Sequence, residues 1–165
     1  MVNTCNNYSS MTVEETYLKG SYIISPKIFE DSRGYFFEGY NEKKFQDITG
    51  LKVAFVQDNQ SKSSKGVLRG LHYQTKNQQG KYLSVLKGKI FDVAVDIRKN
   101  SKTYMKHFKC YLSDKNNKSI YIPPGFAHGF YSYEKENIII YGCTNYRDKK
   151  SEKGIRWNDP NLKIK

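Results

Sequence analysis

Short apolar runs separated by turns fill the chain from Tyr17 onward, and almost no stretch carries a helical period. Residues 89–98 show the pattern most clearly. Phe91, Val93, Val95 and Ile97 alternate with Asp92, Ala94, Asp96 and Arg98, the period-two signature of a pleated strand. Similar strand-like runs cover 22–24 ahead of Pro26, 35–38 after the turn Asp31-Ser32-Arg33-Gly34, 53–57, 106–112, 119–122, 128–133 and 137–144. One short helix is predicted over 41–48, with Asn41 as N-cap, Glu42 in the first turn and Gly50 as the stop. Residues 1–16 read as a loose polar leader and 58–66 as a polar loop. Many short strands at close spacing predict one all-β domain over residues 1–165, a sandwich or a barrel with one or two short helices. The 14 Tyr and 9 Phe supply much of the apolar mass and suit a pleated surface.

The formal charge is +12, from 28 Lys+Arg against 16 Asp+Glu. Such an excess favours an anionic partner, whether nucleic acid, a membrane surface or a phosphorylated small molecule. Most of it is lysine scattered through polar turns such as Asp114-Lys115-Asn116-Asn117-Lys118. The chain shows no basic helix, zinc-finger spacing or aromatic RNP-like stretch, so a nucleic-acid partner is not expected. No run approaches the ~20 apolar residues of a membrane span, and no apolar signal segment opens the chain. Three cysteines, Cys5, Cys110 and Cys143, without CxxC spacing point to unpaired thiols in a reducing cytoplasm.

The chemistry-bearing residues cluster in a few motifs. Gly66-Val67-Leu68-Arg69-Gly70-Leu71-His72-Tyr73-Gln74 sets a histidine near the end of a strand-like run, three residues after an arginine. Lys81, the segment Pro123-Pro124-Gly125-Phe126-Ala127-His128-Gly129-Phe130 and Tyr141 follow on further runs. Together they are the parts needed to remove a proton beside a carbonyl, hold the enolate and return the proton from the other face. Histidine suits the base, since its ordinary pKa lies near neutrality. Tyrosine can be the acid, and a lysine placed where negative charge develops stabilises the enolate. Arginines would bind a diphosphate in a bidentate fork. Each residue alone also has a structural reading: His72 as a satisfied histidine, Tyr141 as core, Lys81 as one lysine of many. The Asp92 and Asp96 face of 89–98 is either a solvated outer face or the wall of a wet cavity. In the second case Asp92 would need a partner such as His128 or Lys81. A metal is not expected. The Pro-x-Gly-x-x-His half of a metal-binding cupin motif is present at His128, but His72 is followed by Tyr73-Gln74, with neither a second histidine nor a glutamate.

From about Ser25 to Pro160 the chain resembles the dTDP-4-dehydrorhamnose 3,5-epimerase family, the RmlC-like cupins. The resemblance rests on residues 29–38, 55–59, 66–74, Gln79-Gly80-Lys81, 91–98, 122–130 and Gly154-Ile155-Arg156-Trp157-Asn158-Asp159-Pro160. It implies a cupin jelly roll, or double-stranded β-helix, acting in the cytoplasm as a homodimer without metal or cofactor. The implied substrate is dTDP-4-keto-6-deoxyglucose, on the way to dTDP-L-rhamnose and cell-surface polysaccharide. By position, His72 resembles the family's base, Tyr141 its acid and Lys81 its enolate partner. Arg69 and Arg33 resemble diphosphate and substrate contacts, with Arg33 and Glu38 supplied by the partner subunit. Gln57 and Asn59 fall in the nucleotide-binding stretch, and His128 and Asp92 in the polar floor of the pocket.

Three positions depart from the family pattern. Arg147 stands where the family usually has a second tyrosine near the nucleotide base, and an arginine plane can stack there too. The family's Tyr-Lys-Thr-Thr-like run reads Tyr141-Gly142-Cys143-Thr144. The family also carries a C-terminal aspartate that pairs with the catalytic histidine, in a segment beyond Lys165. Either the sequence is truncated or shortened there, or another carboxylate does the job, with Asp92 as a candidate. Two alternative readings accompany the first: epimerisation at carbon 3 only, or of another nucleotide sugar, and a non-catalytic sugar-nucleotide binding module.

Overall fold

The computed structural model describes residues 11–164. In chain order its first elements are β1 (Met11–Glu15), β2 (Tyr22–Pro26), β3 (Phe29–Asp31), β4 (Gly34–Phe36), α1 (Glu42–Thr49) and β5 (Gln57–Ser64). There follow β6 (Leu68–Gln74), β7 (Lys81–Lys87), β8 (Lys89–Asp96) and β9 (His107–Ser113). The last are β10 (Ser119–Ile122), β11 (Phe126–Ser132), β12 (Glu136–Cys143) and β13 (Glu152–Gly154). One sheet has the order β1-β2-β10-β7-β12-β5 and the other β13-β6-β11-β8-β9, while β3 and β4 form a separate hairpin. All pairings are antiparallel. Two facing sheets whose neighbours are mostly distant in sequence make a jelly roll.

Between the sheets, Leu83, Val85, Ile120, Ile122 and Ile139 pack against Ile90, Ala94, Leu112, Phe126 and Phe130. Two further clusters close the outer faces. Phe45 of α1 packs with Met11, Ile24, Val53, Tyr82 and Tyr121 outside the six-stranded sheet. Burying one such ring contributes about 1.5–3 kcal/mol. Leu162, with Ile155 and Ile164 beside it, covers Val93 and Val95 outside the five-stranded sheet. The helix starts and stops as its sequence dictates. Asn41 Oδ1 accepts from the Lys44 N–H at 3.0 Å, and Gly50, with φ of 72°, returns its N–H to the Gln46 carbonyl.

Three sequence expectations need correction. The loose leader gives way at Met11–Glu15 to β1, paired along its length with β2, while residues 1–10 lie outside the described part. The polar loop expected at 58–66 is mostly the strand β5, paired with β12 from Gln57 to Ser64. The strand expected at 53–57 is therefore displaced toward the C-terminus. On β8 the apolar residues Val93 and Val95 face outward, under Leu162, and the Asp92 face turns toward the interior. No described helix is long and apolar enough to cross a membrane.

Candidate active site

A cavity of about 570 Å³ opens between the two sheets, and each sheet supplies one wall. On the five-stranded wall, His72 of β6 lies directly opposite His128 of β11. On the six-stranded wall, Lys81 begins β7, Tyr141 lies on β12, and Asn59 of β5 is its cross-strand neighbour. Alternation along β5 aims Gln57, Asn59 and Ser61 at the cavity, because successive strand side chains point to opposite faces. Gly70 lets the first wall close. Its φ is 109°, and a Cβ there would meet Gly129 Cα and the His128 carbonyl, each at 2.5 Å. The backbones of β6 and β11 thus approach closely beside the two histidines, just before His72 on β6 and just after His128 on β11.

His72 is open to the cavity. Burial of its ring pushes its pKa below the ordinary histidine value, the Glu152 carboxylate opposes this, and Lys81, His128 and Arg147 add to the lowering. The imidazole is accordingly neutral at pH 7 and able to accept a proton. Burial pushes the Tyr141 hydroxyl above its ordinary value, against the pull of Arg147 and Arg69, so the phenol keeps its proton. Burial also lowers Lys81, with Cys143, Asp92 and Glu152 working to hold its charge.

The other expected residues fall in three places. Gln57, Asn59, Arg69, His128 and Arg147 line the cavity with His72, Lys81 and Tyr141. Gln57 Nε2 donates to Asn59 Oδ1 at 2.9 Å, and the Arg147 N–H donates to Gln57 Oε1 at 3.0 Å. The Arg69 guanidinium is anchored on Ser63 Oγ at 2.9 Å and the Lys62 carbonyl at 3.2 Å. Asp92 lies behind the lining, fully buried, with Oδ2 at 2.7 Å from His128 Nε2. Its bond is to His128 rather than His72, so the expectation that it stands in as the partner of His72 is not met. Its Oδ1 has no hydrogen-bond partner among the described residues. Arg33 and Glu38 lie away from this cavity: Arg33 pairs with Asp31 at the hairpin tip, and Glu38 with Lys44 of α1.

Sequence reading missed Ser61, Gln74, Gln78, Gln79 and Glu152, all of which line the cavity. Ser61 carried a usable signal, since it shares the inward face of β5 with Asn59. Glu152 carried none, being one charge in a lysine-rich run. It is the one carboxylate among the described residues lining the cavity, and it pairs with Arg147 at 2.9 Å. Among the described residues no group of three or more His, Cys, Asp or Glu side chains could hold a metal.

The sequence profile of the family described as dTDP-4-dehydrorhamnose 3,5-epimerase matches residues 15–165. The dTDP-4-dehydrorhamnose 3,5-epimerase of Methanothermobacter thermautotrophicus is 50% identical over 150 residues, spanning 91% of this chain and 80% of that protein. The crystal structure of dTDP-4-dehydrorhamnose 3,5-epimerase from Elizabethkingia anophelis NUHP1 superposes with a TM-score of 0.90 at 50% identity, over 94% of this chain and 86% of that one. That of dTDP-6-deoxy-D-glucose-3,5-epimerase from Legionella pneumophila, in complex with dTDP-4-keto-L-rhamnose, has a TM-score of 0.90 at 46% identity, over 93% and 82% of the two chains. Agreement in sequence and backbone over nearly the whole length settles the kinship: the chain belongs to the dTDP-4-dehydrorhamnose 3,5-epimerase family.

Proposed function

We propose that the protein epimerises a dTDP-linked 4-keto-6-deoxyhexose at carbons 3 and 5, converting dTDP-4-dehydro-6-deoxy-D-glucose to dTDP-4-dehydro-L-rhamnose. The carrying observation is that His72 and Tyr141 stand on opposite walls of one cavity, with Lys81 on the Tyr141 side. The substrate ketone at carbon 4 acidifies the C–H bonds at carbons 3 and 5. His72 takes one of these protons, and the electron pair moves into the enolate, whose oxygen faces the Lys81 ammonium. Tyr141 then returns a proton to the same carbon from the other face of the ring, inverting it. Once His72 has passed its proton to solvent and Tyr141 has regained one, the two steps repeat at the second carbon. Neutral His72 and protonated Tyr141 at pH 7 are the forms this sequence needs.

Arg69, at the cavity, suits the diphosphate, Gln57 and Asn59 suit the nucleoside, and the Arg147 guanidinium plane, tethered beside Gln57, suits the base. The bound dTDP-4-keto-L-rhamnose of the Legionella pneumophila relative supports this substrate class. We further propose a cytoplasmic homodimer in which Arg33 and Glu38 complete the site of the second copy. Their distance from the cavity of their own chain supports this, and the unpaired Cys110 and Cys143 suit a reducing compartment.

Solvent exchange tests the reading. The protein is incubated with dTDP-4-keto-6-deoxyglucose in heavy water, and incorporated deuterons are counted by mass spectrometry. Two deuterons are expected, one each at carbons 3 and 5. One deuteron would restrict the chemistry to carbon 3, and none with dTDP still bound would overturn the reading.

A further inference from the structure

A second cleft, of about 500 Å³, lies on the outer face of the six-stranded sheet, back to back with the active-site cavity. Strand alternation separates the two. Along β5, Gln57 and Asn59 line the cavity and Asp58 lines the cleft. The cleft exists because of Gly142. In the cross-strand row Asp58–Gly142–Tyr82 it is the one position without a side chain. Phe55 and Asp58 lean over the bare backbone: a Cβ on Gly142 would lie 3.0 Å from the Phe55 ring and 3.2 Å from Asp58 Oδ1. Phe55, Tyr40 and Tyr82 pack edge to face, with ring centroids 5.0–5.9 Å apart, and form an aromatic floor. Two carboxylates line the cleft, Asp58 and Glu42 of the first turn of α1. No lysine or arginine lines it among the described residues, in a chain that has 28 of them. The Tyr40 hydroxyl is buried with no hydrogen-bond partner among the described residues. Burial and the Glu42 charge both raise its pKa, so it keeps its proton.

We propose that this cleft is a second binding site, for a small aliphatic ammonium compound, with the alkyl chain on the aromatic floor and the ammonium toward the Asp58 and Glu42 carboxylates. The lining selects this class by exclusion and by match. Two carboxylates without a neighbouring cation repel phosphates and other anions. A divalent metal ion wants a shell of six or more oxygens, and rings supply none. A neutral apolar molecule leaves the carboxylates unused. An alkylammonium uses every part of the lining. Its methylenes bury on Phe55, Tyr40 and Tyr82, and its charge is drawn to ring faces as well as to carboxylates. Its three N–H donors find acceptors in the two carboxylates and the Tyr40 oxygen. The volume is that of a small-molecule site. Asp58 and Glu42 are both exposed, so the attraction is weak and falls as salt rises. The site is independent of the proposed substrate and of its reaction.

The test is a titration of the full chain with n-butylammonium chloride at constant ionic strength, followed by the NMR shift of the Gly142 amide. 1-Butanol, of the same length without the charge, is the control. We expect a saturable shift with butylammonium in the millimolar range and a much weaker one with butanol. D58N and E42Q, both at exposed positions, should each weaken butylammonium binding about two- to fivefold, the scale of one exposed ion pair, and leave butanol unaffected. Raising the salt should weaken butylammonium binding to wild type more than to D58N. Equal binding of butanol and butylammonium would overturn the proposal, since the cleft would then be apolar surface without charge selection. So would affinities unchanged in both variants. A Gly142 amide that does not respond at all, as when a second copy of the chain covers the cleft, would overturn it too. None of these outcomes bears on the two-deuteron exchange, which tests the reaction separately.

Discussion

Lys81 is the residue where the fold and the chemistry pull in opposite directions. Its ammonium is largely withdrawn from water and has no ion-pair partner among the described residues, with Cys143, Asp92 and Glu152 supporting its charge without pairing with it. A charge in that position costs stability, and functional sites are where such costs persist. Lys81→Met should therefore separate the two properties. We expect the exchange rate to fall on the order of 10²–10³-fold, the scale for losing one stabiliser of a developing oxyanion. The melting temperature should hold or rise, because a thioether of similar length fills the space without a charge to desolvate. A parallel loss of melting temperature and rate would instead make Lys81 a structural residue. The same residue shows why single positions were hard to read. Among 14 tyrosines and many lysines, Tyr141 and Lys81 stand out in the sequence only through the long motifs around His72 and His128. Glu152 lies among Lys149, Lys150 and Lys153 on a strand of three residues, where nothing in the sequence separates it from a solvated charge.

At the scale of elements, the crossing of β6 and β11 at Gly70 and Gly129 decides where the two cavity histidines stand. Gly70→Ala would push a methyl group into the Gly129 backbone and also require an alanine at φ of 109°. We expect a loss of about 1–3 kcal/mol in urea unfolding. We also expect a drop in kcat larger than the drop in folded fraction, since His72 moves relative to Tyr141. Restored activity at saturating substrate would show that the crossing matters to stability alone. Strands were legible where one face is apolar and the other polar, as on β8, although the period-two pattern there gave the faces and not which of them points inward. Asp92 turns inward because His128 offers it a partner, and the apolar face is covered by Leu162 and its neighbours. The strand β5 was illegible for a related reason. Its outer face, Asp58, Gln60 and Lys62, meets solvent, and its inner face, Gln57, Asn59 and Ser61, meets a polar cavity. Polar residues on both faces erase the alternation on which strand recognition depends.

For the molecule as a whole, the feature that one chain does not account for is the β3–β4 hairpin. All six of its residues are exposed, Phe29 and Phe36 by 48% and 70%, and its strands pair only with each other. An isolated two-stranded hairpin is at best marginally stable in water, and apolar side chains displayed at its surface favour a covering partner. The motif at 29–38 was plain in the sequence, but a sequence cannot show which copy of the chain a motif serves. If Arg33 acts in the site of the second copy, two defective variants should repair one another. Arg33→Ala removes the arginine contributed to the partner's cavity, and His72→Asn removes the base of a subunit's own cavity. In a mixed dimer, one cavity combines both defects and the other combines the intact His72 with the intact Arg33. Random reassortment of equal amounts makes half the dimers mixed, so about a quarter of wild-type activity should return after the two inactive proteins are unfolded together and refolded. Arg33 acting within its own chain would leave both cavities of every mixed dimer defective, and no activity would return.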